Sequence, residues 1–224
     1  MIPTLPMYVS IIFVVTTLVT IVLFQIATGN KKLALVLIIL AMTAQALLGF
    51  AGFFLKTDST PPRMILLISP ALILMLITFF TRRGKSFIQQ INLEHYTYLH
   101  TIRVFVEIVL LLLFIHATLP ESMTFEGRNF DILAGLSAPL VGYFGFRKNK
   151  MGRKTILTWN ILCLLLVLQV VITGLLSAPS VIQQFSFDQP NFAIFYFPFV
   201  WLPGIVVPMV LFGHLVAIYR LRSD

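Results

Sequence analysis

Four residues in the middle of the chain have the types and the spacing to do chemistry. Tyr96, His100, Arg103 and Glu107 fall at i, i+4, i+7 and i+11, so a helix lines them up as one stripe. The run Ile-Val-Leu-Leu-Leu-Leu-Phe-Ile follows Glu107 directly. Ionisable groups in such a run are costly unless they face one another, water or a ligand. The chemistry open to them is proton exchange at Glu107, anion contact by Arg103, or axial ligation by histidine nitrogen.

The rest of the chain must supply the elements that position this stripe. The 224 residues are 58% hydrophobic and 11% charged, with a mean hydropathy of +0.97. Soluble domains carry roughly a quarter charged residues, so this composition predicts an all-α integral membrane protein folded as one domain over residues 1–224. Seven apolar stretches are expected to span a bilayer: 7–27, 33–55, 64–80, 99–118, 130–146, 156–176 and 193–219. The first is too long for a signal-peptide core and has no basic residue before it, so it reads as a retained span.

Twelve of the sixteen Lys and Arg residues fall in alternate connections or at the C-terminal end, three in the other connections, and Arg103 within a span. The positive-inside rule then places the N-terminus outside and the C-terminus in the cytoplasm. Short loops suggest a bacterial inner-membrane protein. The net charge of +8 reads as loop charge rather than a nucleic-acid surface, because no basic cluster is interleaved with aromatics. Residues 82–99 alternate apolar and polar side chains and predict an interfacial helix leading into the fourth span. The connections at 118–131 and 177–191 are long enough to cap the bundle but read first as solvated outer turns, with Glu126, Arg128 and Asp131 pairing locally.

Counting depth from the basic end brings His100, Arg103, Asn160, His214, Gln25 and Tyr143 to one polar level, with Glu107 deeper. Gln45, His116, Gln169 and Thr173 form a second level in the other half. Tyr96, His100, Arg103, Glu107, Asn160 and His214 are the candidate ligand- or ion-binding residues. Ala134, Ala138 and Gly142 make a small-residue ridge, for internal helix packing or for a homodimer seam. Pro198, Pro203 and Pro208 mark the seventh span as the one expected to be irregular.

The single cysteine, Cys163, excludes an internal disulfide and any CxxC site. No lysine lies in 193–219, which excludes a retinal Schiff base, and HExxH, GxSxG and Walker-type motifs are absent. The leading expectation is a proton-coupled carrier, or a receptor for a small molecule or ion, with a polar cavity opening toward the cytoplasm and no cofactor. One alternative is a b-type haem protein with His100 and His214 as axial ligands. A lipid-modifying metalloenzyme and an accessory subunit are the others; with His95, His100 and His214 toward one side and His116, Glu121, Glu126 and Asp131 toward the other, no three or four obvious metal ligands converge.

Overall fold

A computed structural model describes residues 2–223, excluding the side chain of Ser223. Among the described residues the chain is all-helical, with no strand. Its helices are α1 (Met7–Thr28), α2 (Lys32–Phe50), α3 (Ile65–Phe80), α4 (Arg82–Gln90), α5 (Leu93–Leu99), α6 (Ile102–Ile115), α7 (Asp131–Leu140), α8 (Arg153–Leu176) and α9 (Val207–Ser223). Five stretches are long and apolar enough to cross a bilayer: Met7–Thr28, Lys32–Phe50, Leu93–Ile115, Arg153–Leu176 and Leu202–Arg222. The α3–α4 pair makes a sixth if it is counted as one bent span.

The threonine hydroxyls of α1 are satisfied locally. Thr16, Thr17, Thr20 and Thr28 each donate to the carbonyl four residues earlier, at 2.7–2.9 Å, so they add no unpaired donor to α1. Gly29, in the left-handed conformation at φ 73°, ends that helix.

Several boundaries differ from those expected. The interfacial helix ends at Gln90, and the fourth span begins at Leu93 rather than Leu99, because Asn92 caps a new helix by accepting from the His95 amide at 3.0 Å. The chain turns by 92° between α3 and α4. At Thr81 the side chain caps α4, accepting from Gly84 N at 3.1 Å. A Cβ on Gly84 would lie 2.1 Å from the carbonyl oxygen of Thr78, so glycine alone allows α4 to fold back this tightly. The last span also shortens. Residues 193–195 form a single 3₁₀ turn, and the stretch of spanning length begins only at Leu202, where wide turns over Leu202–Val206 around Pro203 lead into α9.

The connections at 118–131 and 177–191 take the cap arrangement where they meet, although Val181, Ile182, Phe185 and Phe187 stay exposed. They interlock as a cap: Gln189 Nε2 donates to Phe114 O at 3.0 Å and Leu119 O at 2.7 Å, and the amides of Phe192 and Ala193 both donate to Thr118 O. Asn191 donates to Gly174 O at 3.1 Å, closing the cap onto α8. At the opposite end the basic connections gather. Lys31 Nζ donates to Gln90 Oε1 at 2.7 Å, Arg153 Nε to Leu221 O at 2.6 Å, and Arg220 to Ile91 O.

The small-residue ridge is spent inside the chain. Ala134 and Ala138 are buried, and Gly142 lies directly against the ring of Tyr98.

Candidate functional site

The α5–α6 junction sets the stripe. Between His100 and Val104 the backbone tightens to i→i−3 hydrogen bonds, Arg103 N to His100 O at 3.1 Å and Val104 N to Thr101 O at 3.2 Å. All four residues of the stripe are buried, at 2% exposure for Tyr96, His100 and Arg103 and 1% for Glu107. Tyr96 turns its hydroxyl to Met209 O at 2.9 Å, tying α5 to α9.

Arg103 is the hub. Its Nε donates to Asp131 Oδ2 at 2.6 Å, and its Nη2 forms a second, short bond to Asp131 Oδ1, a two-pronged pair between α6 and α7. Nη2 also reaches Cys163 O on α8 at 3.2 Å, and Nη1 reaches His214 Nε2 on α9 at 3.0 Å. The guanidinium has donors only, so His214 Nε2 accepts here. His214 then carries its proton on Nδ1, which lies 2.9 Å from Asn160 Oδ1 on α8, while Asn160 Nδ2 donates to Ile156 O. One cation thus ties four helices together.

Glu107 joins this network indirectly. Asn129 Nδ2 donates to Glu107 Oε1 at 2.6 Å and to Met123 O at 3.0 Å, while Asn129 Oδ1 accepts from the Asp131 amide at 2.9 Å. Asp131 lies in the first turn of α7, where the helix dipole favours a carboxylate. Glu107 Oε2 and His100 Nδ1 are buried without a hydrogen-bond partner.

His100 is buried inside the bundle. Its ring lies face to face with that of His214, centroids 3.9 Å apart and planes within 7°. Trp159 sets its edge against both, at 5.9 and 5.6 Å, and holds its own orientation by donating to Ser137 Oγ at 2.9 Å.

This geometry does not fit a bis-histidine haem. Axial imidazoles approach iron from opposite faces of a porphyrin, whereas these two rings are in van der Waals contact, and both nitrogens of His214 are already engaged. Among the described residues, no three His, Cys, Asp or Glu side chains converge as a metal site.

Of the expected polar level, His100, Arg103, Asn160 and His214 meet directly and Glu107 is linked through Asn129. Tyr143 does not join them. It is 38% exposed, its ring beneath Lys148 Nζ. Gln25 is buried on α1 with its Nε2 unpartnered. In the second level, Gln45 and Gln169 go to separate backbone carbonyls, Leu67 O and Arg128 O. The pairing of Asp131 with Glu126 and Arg128 is replaced by its pairing with Arg103.

Sequence reasoning missed Asp131, Asn129 and Trp159 as members of the site. A signal for the first was present. The expected fifth span is only 17 residues (130–146) and would rise about 25 Å, less than a ~30 Å hydrocarbon core, so on that reading one of its ends must start below the surface.

Fold and site together define a helical bundle whose main helices have membrane-spanning length and hydropathy, held by one buried ionic network. The chain belongs to the family described as a domain of unknown function (DUF8737), which matches residues 61–222 and so contains every residue of the Arg103 network. Comparison with curated proteins and with solved structures gives no match.

Proposed function

We propose that the protein is a membrane carrier or receptor for a small molecule or ion, operated by the buried network around Arg103, with Glu107 as its exchangeable group. The observation that carries this reading is Glu107 itself: buried, held through one oxygen by Asn129, with the other oxygen bare. A carboxyl in that state can take up a proton or a cation, which a fully satisfied structural pair cannot do without breaking.

Two irregular segments support it. Val141–Arg147 follows α7 and Leu202–Val206 precedes α9, both with wide i→i+5 turns. Such turns recur at functional sites, and here they adjoin the helices that bring Asp131 and His214 to Arg103.

Glu107→Gln keeps the shape and removes the exchangeable charge. In a thermal-shift screen of Na⁺, K⁺, ammonium, phosphate and small carboxylates, a ligand at ~100 times its Kd is expected to add about 2.7 kcal/mol to the wild type. The same ligand should add nothing to Glu107→Gln, whose unliganded Tm stays close to wild type. A shift that survives the substitution, or a wild type that no member of the panel stabilises, counts against the reading.

We read the chain as crossing a bacterial inner membrane seven times, N-terminus outside, with α3 and residues 131–147 as the short spans. The basis is the loop charge, twelve against three. In a Cys163→Ser background, an impermeant maleimide applied to intact cells should label a cysteine placed at Gln183 and spare one at Asn149. The reverse pattern would overturn the orientation.

A further inference from the structure

A second feature lies away from the Arg103 network. A cavity of about 480 Å³ opens between α2, α3, α4 and the start of α9. Its walls are apolar, with Leu37 and Ala41 on one side and Ala71 and Phe212 on the other. At one end stand Lys31 and Arg83, and at the other Gln45, packed flat on Gly204.

Lys31 immediately precedes α2 and Arg83 lies in the first turn of α4, so both sit at the end where the basic connections gather. Lys31 is bonded only to the neutral Gln90, and among the described residues neither cation has a carboxylate partner. The 92° turn into α4 lays Arg82, Arg83 and Lys85 across the end of the bundle, while Phe87 turns inward and lines the cavity. Length matches a lipid tail. At ~1.5 Å rise per residue, Gln45 is about 20 Å along α2 from Lys31. One leaflet of a ~30 Å hydrocarbon core is about 15 Å deep, so the cavity is long enough for a whole acyl chain. One of its walls, α2, is the least covered of the long helices: only 17% of its apolar stretch is buried in the protein.

We propose that this cavity holds the acyl chain of an anionic phospholipid, with the headgroup phosphate between Lys31 and Arg83. Apolar walls take the chain, the unpaired cations take the phosphate, and the bound lipid fills the space that holds α2 off α3. The site is independent of Glu107 and of the reading given to it.

Native mass spectrometry of the delipidated full-length protein, titrated with phosphatidylglycerol or phosphatidylcholine of equal chain length, tests this. One phosphatidylglycerol should be retained per chain, preferred over phosphatidylcholine by about tenfold or more, as two basic side chains at an anionic headgroup imply. K31Q/R83Q alters only the mouth of the cavity and should reduce that preference to about one. Ala71→Phe fills the wall and should reduce retention of both lipids, with Tm confirming that it folds. Millimolar inorganic phosphate should not displace the lipid. Equal retention of both lipids by the wild type, or an unchanged preference in K31Q/R83Q, would overturn the proposal. So would displacement by phosphate alone, or a lipid-free dimer that assigns the groove to a second copy.

Discussion

Asp131→Ala is expected to destabilise the protein by about 3–5 kcal/mol, the cost of leaving one member of a buried ion pair behind. Arg103 donates through four of its N–H groups, two of them to Asp131, and it is 2% exposed, so no water replaces the lost carboxylate without opening the bundle. The penalty belongs to the orphaned charge rather than to the pair. Removing both ends, as in Arg103→Met with Asp131→Leu, should therefore recover most of the loss, because an apolar pair of similar volume is often no less stable than a buried ion pair. Equilibrium unfolding in mixed detergent micelles measures all three free energies. A double variant as unstable as Asp131→Ala would show that the network stabilises the bundle by more than neutralising Arg103. A single variant within 1 kcal/mol of wild type would mean that Arg103 reaches water.

The Arg103 network also shows where sequence reasoning reached its limit. Periodicity alone placed Tyr96, His100, Arg103 and Glu107 on one face, and all four are buried there. Depth counting paired His100 with His214 and brought Asn160 level with them, because rise per residue is fixed once a helix end is located. It failed for Asp131 and Asn129, whose depth depends on how the connection at 116–130 folds back rather than on any helical count. It failed for Tyr143, because a level does not specify a face and the wide turns at Val141–Arg147 shift the facing of that segment. Ring stacking between His100 and His214 has no sequence signature. The same two residues at the same depth are compatible with axial ligation or with contact, and only the distance between their helices decides.

Close approach of α7 to α6 is what makes the ion pair possible, and Gly135 permits it. A Cβ at this position would lie 2.8 Å from the backbone nitrogen of Val104 and 3.3 Å from Cβ of Arg103. The first obstacle is main chain and cannot rotate away, so Gly135→Val must push the helices apart. Overpacking of this kind costs about 1–3 kcal/mol by itself. Because Asp131 is one turn away on the same helix, the displacement also stretches its two bonds to Arg103, and the total should exceed 3 kcal/mol, approaching that of Asp131→Ala. Leu133 and Leu136 flank the glycine but are 57% and 56% exposed on the opposite face, so Leu136→Ala should cost little in the same unfolding assay. The two mechanisms separate in a cycle. If Gly135→Val acts through the ion pair, adding it to the Arg103→Met, Asp131→Leu background should cost only the packing share. A full additive loss in that background would place the whole effect in helix packing and leave the ion pair indifferent to the spacing of α6 and α7.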